Sequence, residues 1–276
     1  MISVVVPVHD EERSVALLHG ELAAALEPLD EWEVVFVDDG STDGTFAALT
    51  RLHAAHDDVR VVRLRRNFGK AAALQAGFEE TAGDVVVTID GDGQDDPAEI
   101  PRLLAKLDEG FDLVSGWKTR RRDPVTRRAL SRIFNAVTGR LSGLRLHDLN
   151  CGLKAYRAEV VRGLRIYGEL HRFIPVLAHY RGFRVAELPV NHRPLHLFGG
   201  VGLLLGAIGT LVLVYLTVLK ISGEAIGHRP LLLLGVLLVV VGVQLLSLGL
   251  VSELVASHHE ERTGRSSELH VDEILR

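Results

Sequence analysis

Residues 84–97 read DVVVTIDGDGQDDP, five β-branched residues followed by four aspartates in seven positions. A run this short, rich in χ1-stiff side chains and closed by Gly and Asp, signals a strand rather than a helix. The same switch from apolar to acidic occurs twice upstream. Residues 2–8 (ISVVVPV) lead into His9, Asp10, Glu11 and Glu12, and residues 33–37 (EVVFV) lead into Asp38, Asp39 and Asp43. Two further strands are expected at 59–64 and 111–115. Helical stretches at 11–26, 45–55, 70–81 and 97–109 lie between the strands, and this alternation predicts an α/β, Rossmann-like domain whose mostly parallel sheet carries helices on both faces.

Ligands of such sheets bind beyond the carboxyl ends of the strands, which is where these acidic residues collect. Carboxylates gathered without equal numbers of cations repel, so the arrangement suits a divalent cation or the donors of a bound ligand. All-oxygen ligands favour Mg2+ or Mn2+. Two calcium-loop readings fail: the loop beginning at Asp39 has Thr50 where a bidentate Glu is needed, and the Asp90 segment has Asp95 at the glycine position and Pro101 at the twelfth. Asp43 and Asp96 are expected to cap helices. No GxGxxG follows the first strand, which disfavours a dinucleotide-dependent dehydrogenase.

The whole chain has 276 residues, 47% hydrophobic and 24% charged, with a net charge of -5 and one cysteine. That balance excludes a general nucleic-acid binder and a disulfide scaffold. Composition changes at Pro194. Residues 195–219 and 231–252 contain no Asp, Glu, Lys or Arg, and each run is at least as long as the roughly 20 residues that cross a bilayer. The reading is a domain over 1–193, a transmembrane hairpin over 194–255 (about 195–219 and 231–255) and a polar, loosely ordered cytosolic tail over 256–276. Buried hairpin helices in a large soluble core are the alternative. Arg181, Arg184 and Arg193 before the hairpin and Arg262 and Arg265 after it, against Lys220 and Arg229 in the connector, put both ends in the cytoplasm. The expected location is thus the cell (inner) membrane, multi-pass, with the catalytic domain cytoplasmic. Glycines at 199, 200, 202 and 206 permit close helix contacts, within one chain or in a homo-oligomer.

Six segments in order, VVPVHDEE, VVFVDDGSTDGT, NFGKAAALQAGF, TIDGDGQDDP, HDLNCGLKAYR and HRFIP, followed by two apolar spans, resemble the family 2 glycosyltransferases of the GT-A fold. The likeness is strongest to the branch of dolichol-phosphate mannose and polyprenyl-phosphate glucose synthases. It implies a nucleotide-sugar site built from Pro7, His9, Glu11, Asp39, Lys70, Asp90 and Asp92. In it Asp39 holds base or ribose, Asp90 and Asp92 form the DxD element, and Asp92 with Gln94 ligates Mg2+ or Mn2+ on the diphosphate. Lys70 follows the Asn67-Phe68-Gly69 turn at a helix start and either adds positive charge near the phosphates or is a plain surface lysine.

The cluster Lys118, Arg120, Arg121, Arg122, Arg127, Arg128 and Arg132 offers guanidinium forks for a lipid phosphate, or is a solvated loop steered to anionic lipid. Arg120, Arg128, Arg132 and Arg172 are taken as acceptor-phosphate residues, with Arg122, Asp92 and Asp148 as catalytic ones. Asp148 matches a carboxylate that the family carries near the acceptor; a phosphate acceptor is already anionic, so orientation is expected of it more than deprotonation. The resemblance implies an inverting enzyme that moves a hexose from a UDP- or GDP-sugar to polyprenyl or dolichyl phosphate at the cytosolic membrane face. The alternatives are a non-catalytic nucleotide-sugar-binding membrane protein and a transferase acting on a protein or polysaccharide. One departure stands out: the longer basic stretch with a SKYG-like motif that family members carry before the first span is missing, as Arg193-Pro194 runs straight into it.

Overall fold

The computed structural model describes residues 1–29, 31–118, 143–144, 146–168, 170–191, 197–223, 230–259 and 271–276. The chain forms two compact units, Met1–Arg193 with Thr263–Arg276, and Pro194–Arg262. In the first unit the chain runs β1 (Ile2–Val8), α1 (Val15–Leu26), β2 (Trp32–Asp38), α2 (Thr45–Ala55), β3 (Val59–Leu64), α3 (Lys70–Glu80), β4 (Val85–Thr88), α4 (Ile100–Asp108), β5 (Leu113–Lys118), β6 (Lys154–Arg157), α5 (Ala158–Gly163), α6 (Ile174–Tyr180), β7 (Val185–Val190) and β8 (Val271–Leu275).

All eight strands join one sheet in the order β7-β5-β6-β4-β1-β2-β3-β8. The pairs β1·β2, β1·β4, β2·β3 and β5·β7 are parallel, while β3·β8, β4·β6 and β5·β6 are antiparallel. The expected α/β layout is therefore present, with antiparallel strands at β6 and β8. Period-two alternation distributes the core: Val4, Val6 and Val8 of β1 pack with α1, α2 and α4 on one face, whereas Val5 packs with α3, α5 and α6 on the other.

Two helix starts differ from the sequence expectation. Helix α1 begins at Val15 rather than residue 11, because Asp10 takes a left-handed backbone (φ 57) and the 9–12 loop bonds across to the next loop instead. The stretch from residue 97 starts as a 3-10 turn, Pro97–Glu99, capped by the Asp96 side chain on the Ala98 N–H, and becomes α-helical only at Ile100. Pro101 has no N–H to return to Pro97, so a regular first α-turn cannot close there. The tail expected to be loosely ordered contains β8, which covers the outer edge of β3 in the register Val61↔Leu275 and Val62↔Ile274. An open parallel edge strand is a pairing liability, and β8, a short strand carrying Asp272 and Glu273, takes the edge in place of β3.

In the second unit α7 (Leu197–Ile221) and α8 (Pro230–His259) pack together. Their backbones meet at Gly209, where an added Cβ would lie 2.8 Å from the Gly235 carbonyl; at Gly206 it would meet open space. Among the described residues no helix is long and apolar enough to cross a membrane. The spans expected at 195–219 and 231–255 both extend past the residues with described side chains, 205–223 and 230–244.

Candidate active site

The chain steps from β1 outward to β2 and β3, then returns to place β4 on the other side of β1. This reversal opens a crevice beyond the ends of β1 and β4, the usual ligand site of an open α/β sheet. Pro7 helps to open it. The β1·β4 ladder ends at Val5↔Thr88, so the missing N–H of Pro7 lies past the last paired rung. Gly91 then turns tightly against the same strand end, where a Cβ would come within 2.9 Å of the Pro7 carbonyl oxygen.

On the β1 side the acidic loop is zipped to the loop after β2. The Thr42 N–H donates to Asp10 Oδ1 at 2.7 Å, the Glu11 N–H to Thr45 Oγ1 at 2.7 Å, and His9 Nδ1 lies 2.9 Å from the Asp39 carbonyl oxygen. Asp43, as expected, accepts from the Thr45 N–H at 2.9 Å. Asp39 is buried, and its oxygens accept from the Phe68 and Gly69 N–H groups at 2.7 and 2.8 Å. It therefore fixes the turn that starts α3; two amide donors leave further lone pairs on the carboxylate for a ligand. Burial nevertheless raises its pKa.

That turn delivers Lys70, the first residue of α3, whose Nζ lies 2.6 Å from Asp90 Oδ1. Lys70 is only partly exposed and is paired with the acidic edge through Asp90. Asp90 rests against Gly152, whose missing side chain leaves the space that the carboxylate fills, and the Gly152 carbonyl is held by Thr88 Oγ1 at 2.8 Å. Asp92 is the unbalanced charge. Its Oδ1 accepts from the Gln94 N–H at 3.0 Å, but burial and then the Asp90 charge push its pKa up to about 6. Glu11 is raised as well, first by burial and then by charges that include Asp92. Crowded oxygen donors whose ionised form lacks compensation are the environment a hard divalent cation relieves, so the residues present fit Mg2+ or Mn2+.

The other half of the site comes from β5, β6 and the loop at 147–152. Asp148 is buried; its N–H and that of His147 donate to Glu187 of β7 at 2.8 and 2.9 Å, and its Oδ1 accepts from the Asn150 N–H at 3.0 Å. The His147 ring stacks on Trp117 at 4.1 Å between centroids. Lys118 Nζ lies 3.4 Å from the buried Asp95; burial pulls its pKa down, but Asp95, then Cys151 and Asp90, outweigh this and raise it above the usual lysine range. Lys154 is buried, donates to the Cys151 carbonyl, and has its pKa lowered by burial. Lys70, Lys154, Arg172 and His171 line one small cavity with Asp90. The His171 Nδ1 has no hydrogen-bond partner among the described residues, and burial followed by the Lys70 charge pushes its pKa down to about 3, so the imidazole is neutral.

The structure thus brings Lys70, Asp90 and Arg172 to one cavity and sets Asp92 in electrostatic reach of Glu11, Asp90 and Lys70. Asp39 ties His9 to the turn before Lys70, Gln94 bonds Asp92 locally, Pro7 ends its strand beside Gly91, and Asp148 is held by Glu187. Arg120, Arg122, Arg128 and Arg132 lie outside the described residues. Sequence reasoning missed Asp95, Lys118 as its partner, Lys154, Glu187 and the Trp117–His147 stack. Neither Lys154, in a short strand that also carries Arg157, nor Glu187 had a sequence signal.

Residues 3–165 match the description Glycosyl transferase family 2, and the chain belongs to that family. The GT-A likeness read from the six segments is borne out. Among curated relatives, a dodecaprenyl-phosphate galacturonate synthase of Rhizobium johnstonii is 37% identical over 92% of this chain and 87% of its own length. An undecaprenyl-phosphate 4-deoxy-4-formamido-L-arabinose transferase of Salmonella paratyphi A is 38% identical over 69% of this chain; the match spans 59% of that relative. In three dimensions, glucosyl-3-phosphoglycerate synthase of Mycobacterium tuberculosis with UDP superposes with a TM-score of 0.53 at 25% identity, covering 77% of this chain and 79% of that one. A mannosyltransferase of Pyrobaculum calidifontis, solved with GDP-mannose and Mn2+, has a TM-score of 0.55 at 20% identity over 94% of this chain and 79% of its own, a likeness of fold.

Proposed function

We propose that this glycosyltransferase moves a hexose from a UDP- or GDP-linked donor to a polyprenyl phosphate at the cytosolic face of a membrane, with inversion at the anomeric carbon. The observation that carries the reading is the meeting, at the Asp90–Lys70 pair, of a carboxylate group of Glu11, Asp90 and Asp92 with a small cavity that Lys70, Lys154 and Arg172 line together with Asp90. The acidic side suits a cation-bound diphosphate and the basic side an anionic acceptor. Both curated relatives named above act on polyprenyl phosphates according to their names, which supports the same acceptor here.

Asp92, with Gln94, would hold Mg2+ or Mn2+, whose charge stabilises the departing nucleoside diphosphate. Lys70 neutralises Asp90 beside it. Asp148, clamped through Glu187, orients the acceptor, whose phosphate oxygen attacks directly. Arg120, Arg122, Arg128 and Arg132 are proposed to receive the acceptor phosphate. One displacement without a carboxylate nucleophile inverts the configuration.

The membrane hairpin is part of the proposal. The described parts of α7 and α8 expose Leu211, Val214, Val218, Leu233, Leu237 and Val243, an apolar surface that lipid covers and water does not. Because β8 rejoins the sheet after the hairpin, an even number of crossings is needed, as two antiparallel spans provide.

The test is to incubate membranes bearing the protein with Mn2+, undecaprenyl phosphate and radiolabelled UDP-glucose, UDP-GlcNAc, UDP-galacturonate or GDP-mannose in turn. An organic-extractable, β-linked labelled lipid is expected with one donor. Donor binding without any labelled lipid would make the protein a nucleotide-sugar binder, labelled polymer would move the acceptor to a polysaccharide, and retained configuration by NMR would overturn the single displacement.

A further inference from the structure

At the opposite edge of the sheet from the acidic crevice, where β2 and β3 begin, three potential metal ligands converge. His19 sits in the middle of α1 and is 4% exposed; its Nε2 lies 2.9 Å from Asp58 Oδ2. His56, which ends α2 in an extended conformation, places its ring 4.4 Å from the His19 ring. A tight turn closed by the Val59 N–H on the His56 carbonyl holds His56 and Asp58 together, and the Asp58 carbonyl is tied to β2 through the Val34 N–H at 2.8 Å. One ligand atom from each of the three lies within 4.8 Å of the others. They border an open groove of about 660 Å3, also lined by Trp32, Glu12 and Arg51.

We infer that His19, His56 and Asp58 form a second metal site, selective for Zn2+ or a similar late first-row ion such as Co2+ and separate from the Mg2+ or Mn2+ of the reaction. Two imidazole nitrogens and one carboxylate oxygen make a donor set that suits Zn2+ far better than the hard cation expected at an all-oxygen edge. Ligand atoms about 2.0–2.2 Å from a tetrahedral zinc stand roughly 3.3 Å apart. The His19–Asp58 spacing is already near that value, and the exposed His56 side chain is free to close the remainder. The groove leaves the fourth position open to water. With β2 seven residues long, roughly 20 Å of strand separates this site from the carboxylates beyond the other end. An ion here would staple α1 to the α2–β3 turn.

The test uses full-length protein in detergent, with excess Mg2+ filling the acidic edge, titrated with Co2+ as a spectroscopic stand-in for Zn2+. One equivalent is expected to give the visible d–d bands of four-coordinate Co2+, which Zn2+ then displaces. His56→Ala and Asp58→Asn are expected to abolish the bands. Outer-shell partners of metal ligands are worth about 10–100-fold in affinity, so loss of a ligand should weaken binding at least about a hundredfold. Transferase activity with Mg2+ should stay at the wild-type level in both variants. No bands in the wild type, or bands of equal strength in both variants, would overturn the assignment. Neither result depends on which sugar or acceptor the enzyme uses.

Discussion

The sheet has two halves that handle charge in opposite ways. From β3 to β4 every neighbour is parallel and most strand side chains are apolar, so the acidic loops after β1, β2 and β4 carry the carboxylates of the site. From β6 to β7 the pairing is mixed, and the functional residues sit on the strands themselves: Lys154 on β6, Lys118 at the end of β5, Glu187 on β7. The first half presents carboxylates with Lys70 set against Asp90, and the second presents Lys118 and Lys154 beside the Asp148–Glu187 clamp. A diphosphate held through a metal fits the first, and a bare anion fits the second.

The strongest way to break that division is Asp92→Ala. If the acidic half carries the metal-bound diphosphate, transfer should fall by about a thousandfold, as when a principal electrostatic stabiliser of a transition state is removed. Steady-state assays under saturating Mn2+ measure it. A drop of less than about tenfold would mean that the diphosphate is gripped elsewhere.

Asp148→Asn probes the second half. A general base typically supplies about 10²–10⁴-fold, whereas an orienting group facing an already anionic acceptor supplies less. The expected loss is about tenfold, seen mainly as a raised KM for the lipid. Glu187→Gln should give a weaker version of the same change, since one amide oxygen then replaces a carboxylate that holds the His147 and Asp148 N–H groups. A loss in Asp148→Asn equal to that in Asp92→Ala would make it an obligatory base.

The two halves also differ in how far sequence reveals them. Valine runs such as 3–8 and 85–89 announce buried strands on their own, and the acidic residues that follow mark the strand ends because they outnumber the cations beside them in the sequence. Strand β6 (KAYR), β7 (VAELPV) and β8 (VDEIL) carry charges or proline, so no period-two apolar pattern singles them out. Their pairing is non-local: Leu275 meets Val61, and Lys154 meets both Thr88 and Ser115. Residues such as Asp95 and Glu187 gain their roles only from that pairing.

A smaller effect separates the acidic half from an ordinary polar surface. Asp92 has a folded-state pKa near 6 against a usual value near 3.8. The folded protein thus holds its proton more tightly, and in the absence of metal its stability declines as pH rises from about 4 to 6, staying reduced above that. Asp92→Asn removes the penalty. The metal-free variant should match wild type near pH 4 and exceed it at pH 7 by about 1–3 kcal/mol, an upper figure set by two pKa units at 1.36 kcal/mol each. Thermal melts in EDTA across this range provide the check, and a variant less stable than wild type at pH 7 would refute an uncompensated Asp92.

The smallest expected change concerns β8, which belongs to neither half of the site. Val271 and Leu275 are only partly buried, and the ion pairs Arg65–Asp272 and Arg276–Glu80 are exposed, so each contributes little. Deleting residues 271–276 should cost about 1 kcal/mol, or roughly 2–4 °C in Tm for a domain of this size, while transfer per folded molecule stays the same. The sharper consequence is association: β3 would regain an open edge with free N–H and C=O groups, a template for another copy's strand. Concentration-dependent self-association of the truncated chain, absent in the full chain, is therefore the expected signature. If truncation instead lowered transfer without lowering Tm, β8 would have to act on the crevice at the far end of β2, and the separation of edge protection from catalysis would fail.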